Sequence, residues 1–565
     1  MKKVQGYPLP LGISITEHKI NFSMVVKQGK KCKLLLYKSG EKEPKKMIEM
    51  PENEGIGAVR YLAIEKSEFQ FQEYNYMIGD EVVVDPYAKA ISGKEVWGEK
   101  AEVSKHEIRG KIYDLVFEWE TDRPLQIPYH EVVAYNLHVR GYTKQSFSKV
   151  KAKGTFAGIT EKIPYFQNLG VNQIQCMPIY EFEECMRYIN FWGYGPAFCF
   201  APKASYAWSE DAINELKEMV LACHKAKIEV VLDLPFYHDI STQIVAECLR
   251  YYVLNFHIDG FIINSELISM SSILSDPLLK STKIMINNDN FQNVMRRFLK
   301  GDEGMVREVI GNLRHVSKED GIYQYITSHN GFTLADLVSY DEKHNESNGE
   351  HNQDGQDYNY SWNCGIEGAT RRKTIIELRK KQMKNAFFLL LMAQGTPCIL
   401  AGDEFANSQK GNNNAYCQDN EIGWVDWRRF EKEKELFHFV KGLISFRKAH
   451  PVLHREEKML GMDQMAYGIP DVSYHGKSAW QEPSEVSSRQ LGILYCGACA
   501  NDDDCFIAYN MHWLTHTFAL PTLAKGKKWY LVIDTSTGIE EESEPIKNQK
   551  EVELEARTIA LFVGR

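Results

Sequence analysis

EDAINELKEMVLACHKAKIEVVLDLPF, residues 210–236, decides the fold. EDAINELKEMVLACHKAK reads as a helix, and EVVLDLPF (229–236) as a short apolar strand. The same alternation runs to both sides. Upstream lie VVAYNLHVR (132–140), the helix ITEKIPYFQNLG (159–170) and VNQIQCMPI (171–179). Downstream lie IDGFIIN (258–264), KIMIN (283–287), YQYITSHN (323–330) and PCILAGDEF (397–405). Strands that alternate with helices imply parallel connections, in an α/β barrel or a doubly wound sheet. A count of about eight strand candidates favours a (β/α)8 barrel.

The flanks read differently. HKINFSMVV (18–26), KCKLLLYKS (31–39), GAVRYLAIE (57–65) and FQEYNYMIG (71–79) are rich in β-formers. So are LGILYC (491–496), DCFIAYNM (504–511), KKWYLVIDT (527–535) and TIALFVG (558–564). The expected organisation is an N-terminal β-sandwich over 1–125, the barrel over 126–454 and a C-terminal all-β sandwich over 455–565. A chain of 565 residues is long enough for several cores.

Composition excludes some classes. A net charge of −9 disfavours nucleic acid, whose phosphates need concentrated positive charge. MKKVQGYPLPLGISITEH lacks the apolar run of a secretory leader. The longest apolar stretch, AFFLLLMAQGTPCILAG (386–402), is broken by Gln, Gly and Pro, so no membrane span is expected. A cytoplasmic protein with 12 reduced cysteines follows. Cys496 and Cys499 form a single CxxC without further ligands at zinc spacing, and there is no EF-hand pattern, so neither metal nor cofactor is expected. Aromatics reach 12%, which suits a packed core or platforms for flat polar ligands such as sugar rings.

Several longer words carry a resemblance. YPLPLG (7–12), VVVDPYAKAISG (82–93), YNLHVRGYT (135–143), GTFAGITEKIPYFQNLGVNQIQCMPIYEF (154–182) and NFWGYGPAFCFAPKASYA (190–207) occur in one order. HNGFTLADLVSYDEKHNESNGEHNQDGQDYNYSWNCGIEG (329–368) and GTPCILAGDEFANSQKGNNNAYCQDNEIGWVDW (395–427) follow. Together they resemble the glycogen debranching enzymes and isoamylases of the α-amylase superfamily, over nearly the whole chain. The resemblance implies a glucan-binding-type sandwich, a barrel and an α-glucan ligand.

It also implies a catalytic set: a carboxylate nucleophile with an arginine two residues before it, a carboxylic acid and a third acid. In a retaining mechanism the first two stand about 5–5.5 Å apart. The family's fourth strand reads DGFRFD. Here Ile262 takes the arginine's place and Asn264 the nucleophile's. The fifth-strand acid falls on Asn287 or is deleted, and HDGFT becomes His329-Asn330-Gly-Phe-Thr. The sugar-holding positions remain: Trp192 and Tyr194 as ring platforms, with Asp233, His238 and His329. The connections after the third and fourth strands are short, so a shallower cleft is expected.

An amide holds a hydroxyl through donor and acceptor but supplies no acidic proton and meets a developing oxocarbenium poorly. The first expectation is a non-catalytic family member that binds α-glucan or partners an active debranching enzyme. A second is a working α-1,6-glucan hydrolase with relocated acids, drawn from Glu266, Asp289, Glu181, Glu183 and Glu184. The bland reading of each is a solvated loop carboxylate. Asn264-Ser265 and Asn330-Gly331 are open to deamidation, which would regenerate two acids but not the fifth-strand one. A third is a structural assembly role without glucan. The Asn- and Asp-rich segment 341–368 reads as an ordered loop over the barrel mouth rather than a linker.

Overall fold

The computed structural model describes residues 2–236, 241–264, 270–318, 320–463, 465–540 and 544–565. All eight strands anticipated in the flanks form. At the N-terminal side, a four-stranded antiparallel sheet holds Gly12–Ile15, Lys19–Val25 and Val59–Glu65, and a six-stranded sheet holds Cys32–Tyr37 and Glu73–Ile78. Their inner faces share one core. Phe22 and Met24 of the first sheet meet Leu34, Leu36, Tyr74 and Tyr76 of the second, and the Phe22 and Tyr74 rings lie edge to face at 5.4 Å. At the C-terminal side, the six-stranded sheet contains Gln490–Tyr495, Asp504–Asn510, Trp529–Asp534 and Thr558–Gly564, with a two-stranded sheet beside it.

Between them lies a parallel sheet in the order Lys283–Met285, Gly260–Ile262, Glu229–Asp233, Gln173–Cys176, Ala134–Leu137, Cys398–Leu400. Its two ends are joined by the segment 322–324, through parallel bridges Ile286↔Ile322 and Gln324↔Pro397. The parallel order thus returns on itself. The six strands and the bridging segment match the seven strand segments quoted from the sequence one for one, and no eighth joins them among the described residues. Gly260–Ile262 bonds directly to Lys283–Met285, which continues at once into the bridge to Ile322. The helices Asp289–Lys300 and Val306–Leu313 then follow each other with no strand between them.

The opening stretch folds as read. Asp211 caps the helix Ala212–Lys225 by accepting from the Asn214 amide, and His224 and Lys225 close its negative end. Ile213, Leu216, Met219, Val220 and Cys223 are buried. The strand after it alternates, since successive side chains point to opposite faces. Leu232 and Val230 belong to the large core outside the ring, whereas Val231 packs inside with Ile262, Met285, Tyr323, Tyr325 and Cys398. Lower in the ring, Glu229 accepts from Gln173 and Lys283. The same alternation carries Asp233, Asn264 and Asn287 towards the ring's interior at the carboxyl ends of three neighbouring strands. No helix of the described residues is long and apolar enough to cross a membrane.

Candidate functional site

A cavity of about 650 Å³ opens at those carboxyl ends. It collects Ile262, Asn264, Asn287 and Asn330 together with Trp192, Tyr194, Asp233 and His329. These positions are spread over more than a hundred residues of chain and line one cavity. His238 and Glu266 lie outside the described residues.

The aromatic wall is tied to the acid beside it. Tyr194 Oη donates to Asp233 Oδ2 at 2.7 Å and lies 3.0 Å from His329 Nε2. The Tyr194 and His329 rings stack at 5.4 Å, and Trp192 meets His329 edge to face at 5.0 Å. Burial raises Asp233 to about 7, against the opposing hydrogen bond from Tyr194, and lowers His329 to about 4. Near neutral pH the imidazole is uncharged, and Asp233 is close to half protonated.

In the same lining, Tyr323 donates to Asn287 and Tyr325 Oη donates to Asp289 Oδ1 at 2.7 Å. Sequence reading missed both tyrosines, although their spacing in YQYIT puts them on one strand face. It also missed Asn136, which shares the inward register of Ala134, and Gln356 and Asn414, which come from loops. The lining therefore carries six amides: Asn136, Asn264, Asn287, Asn330, Gln356 and Asn414. Its carboxyls are Asp233 and Asp289, and no lysine or arginine lines it among the described residues.

The relocated-acid candidates after the second strand are corrected. Glu181 and Glu184 are neither solvated nor in the cavity. Both are about 1% exposed and grip the fully buried Lys203, at 2.9 and 3.0 Å. Glu183 pairs with Lys94 at 2.8 Å. These pairs anchor the hairpin of Tyr180–Phe182 and Ala197–Pro202, whose connection presents Trp192 and Tyr194. Asp289 does line the cavity.

The polar segment 341–368 is an ordered loop. Asn345 Nδ2 donates to Asn413 Oδ1 at 2.8 Å, Asn412 and Gln418 donate to Asn348 Oδ1, and Asn413 donates to Asn359 Oδ1. Amides satisfy one another here because each offers both a donor and an acceptor. Cys496 and Cys499 are free thiols at the turn after Gln490–Tyr495.

Just past the carboxyl end of Cys398–Leu400, Asp403 accepts from Oγ1 of Thr327, a cavity-lining residue, and from the Leu334 amide. Burial raises its pKa from 3.8 to about 8. Between those values the fold retains a proton that the unfolded chain has released. Its stabilising contribution is complete below about pH 4 and is lost as pH rises towards 8. Asp403→Asn, which stays neutral, should flatten that decline in urea unfolding curves recorded from pH 5 to 8. An unchanged slope would show that Asp403 is ionised in the fold.

The architecture is shared with solved structures. The catalytic module of the glycogen-degrading pneumococcal virulence factor SpuA superposes with a TM-score of 0.76 at 16% identity, covering 99% of this chain and 97% of that one. Pullulanase type I from Bacillus subtilis, complexed with maltose, gives 0.74 at 19% identity, covering 99% and 85%. The fold is thus that of the multidomain pullulanase-type proteins. No family model matches the sequence. Curated relatives are nevertheless clear. The glycogen operon protein GlgX homolog of Haemophilus influenzae is 30% identical over 570 residues, covering 80% of this chain and 86% of that protein. Chloroplastic isoamylase 1 of Arabidopsis thaliana is 27% identical, covering 94% and 85%. The chain belongs to the isoamylase and GlgX family of glycogen- and starch-debranching enzymes, in the α-amylase superfamily.

Proposed function

We propose that this member of the debranching family binds α-glucan at the barrel mouth without cleaving it. Its organisation would be a glucan-binding-type sandwich over 1–125, a barrel over 126–454 and a β-domain over 455–565. The observation that carries the reading is the lining itself. Amides stand at all three positions where the family resemblance puts acids, and the arginine's place is held by Ile262, buried among Val231, Met285, Tyr323, Tyr325 and Cys398. A neutral polyol suits such a wall. Amides bond its hydroxyls, and aromatic faces cover its apolar ring surfaces. The solved pullulanases support the ligand class, since one is complexed with maltohexaose and α-cyclodextrin. Without its own chemistry, such a protein would serve as a glucan-holding partner of an active debranching enzyme.

Asp233 and Asp289 favour a second reading, hydrolysis by relocated acids, because both carboxyls line the cavity and Asp233 titrates near neutrality. One experiment separates the two. Calorimetry with maltoheptaose should show binding that falls at least tenfold in Trp192→Ala, by loss of a stacking face worth about 1.5 kcal/mol. Incubation with glycogen should release no reducing ends. Release that disappears in Asp233→Asn or Asp289→Asn would establish the second reading. Absence of any glucan binding would leave only an assembly role.

A further inference from the structure

At the other end of the ring, on residues that do not line the cavity, two histidines and a glutamate come together. His130 and Glu131 sit in the single turn Tyr129–Glu131, just before the first ring strand. His454 follows the turn Pro451–Leu453, where the chain leaves the last barrel helix. One donor atom from each can be chosen so that all three lie within 4.8 Å of one another, and this is the one such His/Cys/Asp/Glu group among the described residues. The two imidazoles lie nearly parallel, with centroids 6.0 Å apart and planes at 20°. His130 Nε2 is 3.7 Å from Glu131 Oε1, too long for a hydrogen bond.

A second, independent observation concerns His454. It is 94% buried, being 6% exposed, and neither ring nitrogen has a partner with good hydrogen-bond geometry, the His130 backbone offering only a weak contact. A buried polar side chain left without a good partner costs about 1–3 kcal/mol, and native folds rarely tolerate it without a reason. A cation in the plane of the His454 ring would be a partner for one of its nitrogens, with the other remaining an N–H donor.

We propose that His130, Glu131 and His454 form a divalent-metal site, with zinc as the ion that fits it best. Two imidazoles and one carboxylate make a borderline donor set that suits zinc and disfavours calcium or magnesium. Tetrahedral zinc with bonds near 2.0–2.1 Å needs donors about 3.3 Å apart, so the widest donor gap, at most 4.8 Å, closes by up to about 1.5 Å on binding. Glu131 is exposed and His130 half-buried, which leaves a fourth position for water. The surrounding charges are mixed. Arg447 sits next to His454, but its guanidinium is held by the carbonyls of Leu391, Ala393, Gly395 and Leu453. Asp502, engaged by His450, and Glu456, paired with Lys318, add negative charge nearby. The ion would staple the chain entering the ring to the chain leaving it, a role separate from glucan binding.

The test uses the full chain, stripped with a chelator and titrated with ZnCl2. One ion should bind per chain, and melting should rise by about 2–4 °C at a hundredfold excess over the dissociation constant. MgCl2 should do neither. His130→Asn should weaken zinc binding at least tenfold, and Glu131→Gln should weaken it less. Both sites of change are at least partly exposed, so these variants keep the test open if His454→Gln fails to fold. No saturable zinc binding, or unchanged affinity in His130→Asn, overturns the proposal, the second outcome assigning any bound zinc to other histidines or to the thiols.

Discussion

Lys203→Met should destabilise the protein by about 3–5 kcal/mol and abolish maltoheptaose binding even where the chain remains folded. Lys203 is fully buried, and its ammonium is shared between Glu181 at 2.9 Å and Glu184 at 3.0 Å, with the Phe182 carbonyl as a third acceptor at 3.0 Å. Removing it leaves two carboxylates desolvated side by side, with Lys94 still 3.8 Å from Glu184. Breaking a buried ion pair from one side is costly because the remaining charge has neither water nor partner. The loss reaches the cavity because these residues anchor the hairpin that presents Trp192 and Tyr194. Urea unfolding measures the stability, and calorimetry on the folded fraction measures the binding. The combination Glu181→Gln, Glu184→Gln and Lys203→Met should recover at least half of the stability. Glutamine keeps an acceptor for the Ala204 and Gly98 amides, and no charge is left unpaired. If Lys203→Met costs under 1 kcal/mol, the triad does not hold the hairpin.

Ile262→Asp should cost a similar amount, about 3–5 kcal/mol at pH 7. Ile262 is 3% exposed and packs inside the ring against Val231, Met285, Tyr323, Tyr325 and Cys398. Its burial contributes about 2 kcal/mol, and a carboxylate there adds its own desolvation. Asp233 is its Cα partner on the neighbouring strand, so two carboxyls would face each other and disfavour each other's ionisation, with no lysine or arginine among the described lining residues to offset them. The penalty should shrink as pH falls and the new carboxyl protonates. A cost below 1 kcal/mol at pH 7 would mean that the wall is wet and can still hold a charged group. The experiment therefore asks whether this surface has become part of the core.

Much of this site was legible in the chain. The alternation of strand and helix pointed to parallel connections, and the family resemblance singled out Asp233, Asn264 and Asn287. The family words located Trp192, Tyr194, His329 and Asn330. The rest depended on contacts that no local pattern carries. Glu181 and Glu184 read as solvated loop acids, because a sequence does not show that Lys203 arrives between them. Tyr323 and Tyr325 became cavity walls because the segment 322–324 bridges the two ends of the sheet. Gln356 and Asn414 reach the mouth through a network of loop amides.

The sequence by itself determined which side chains line the cavity: amides at Asn264, Asn287 and Asn330 and an aliphatic at Ile262, positions that the family resemblance sets against acids and an arginine. Side-chain identity is local and survives any reading of the fold. Tertiary structure decided how that chemistry is assembled. It closed the parallel order with seven described staves, gathered six amides and two carboxyls around one cavity, and brought His130 and Glu131 to His454. Each of these is a meeting of segments far apart in the chain. Such meetings are set by packing and strand pairing over the whole ring, and a residue's near neighbours in sequence carry no record of them.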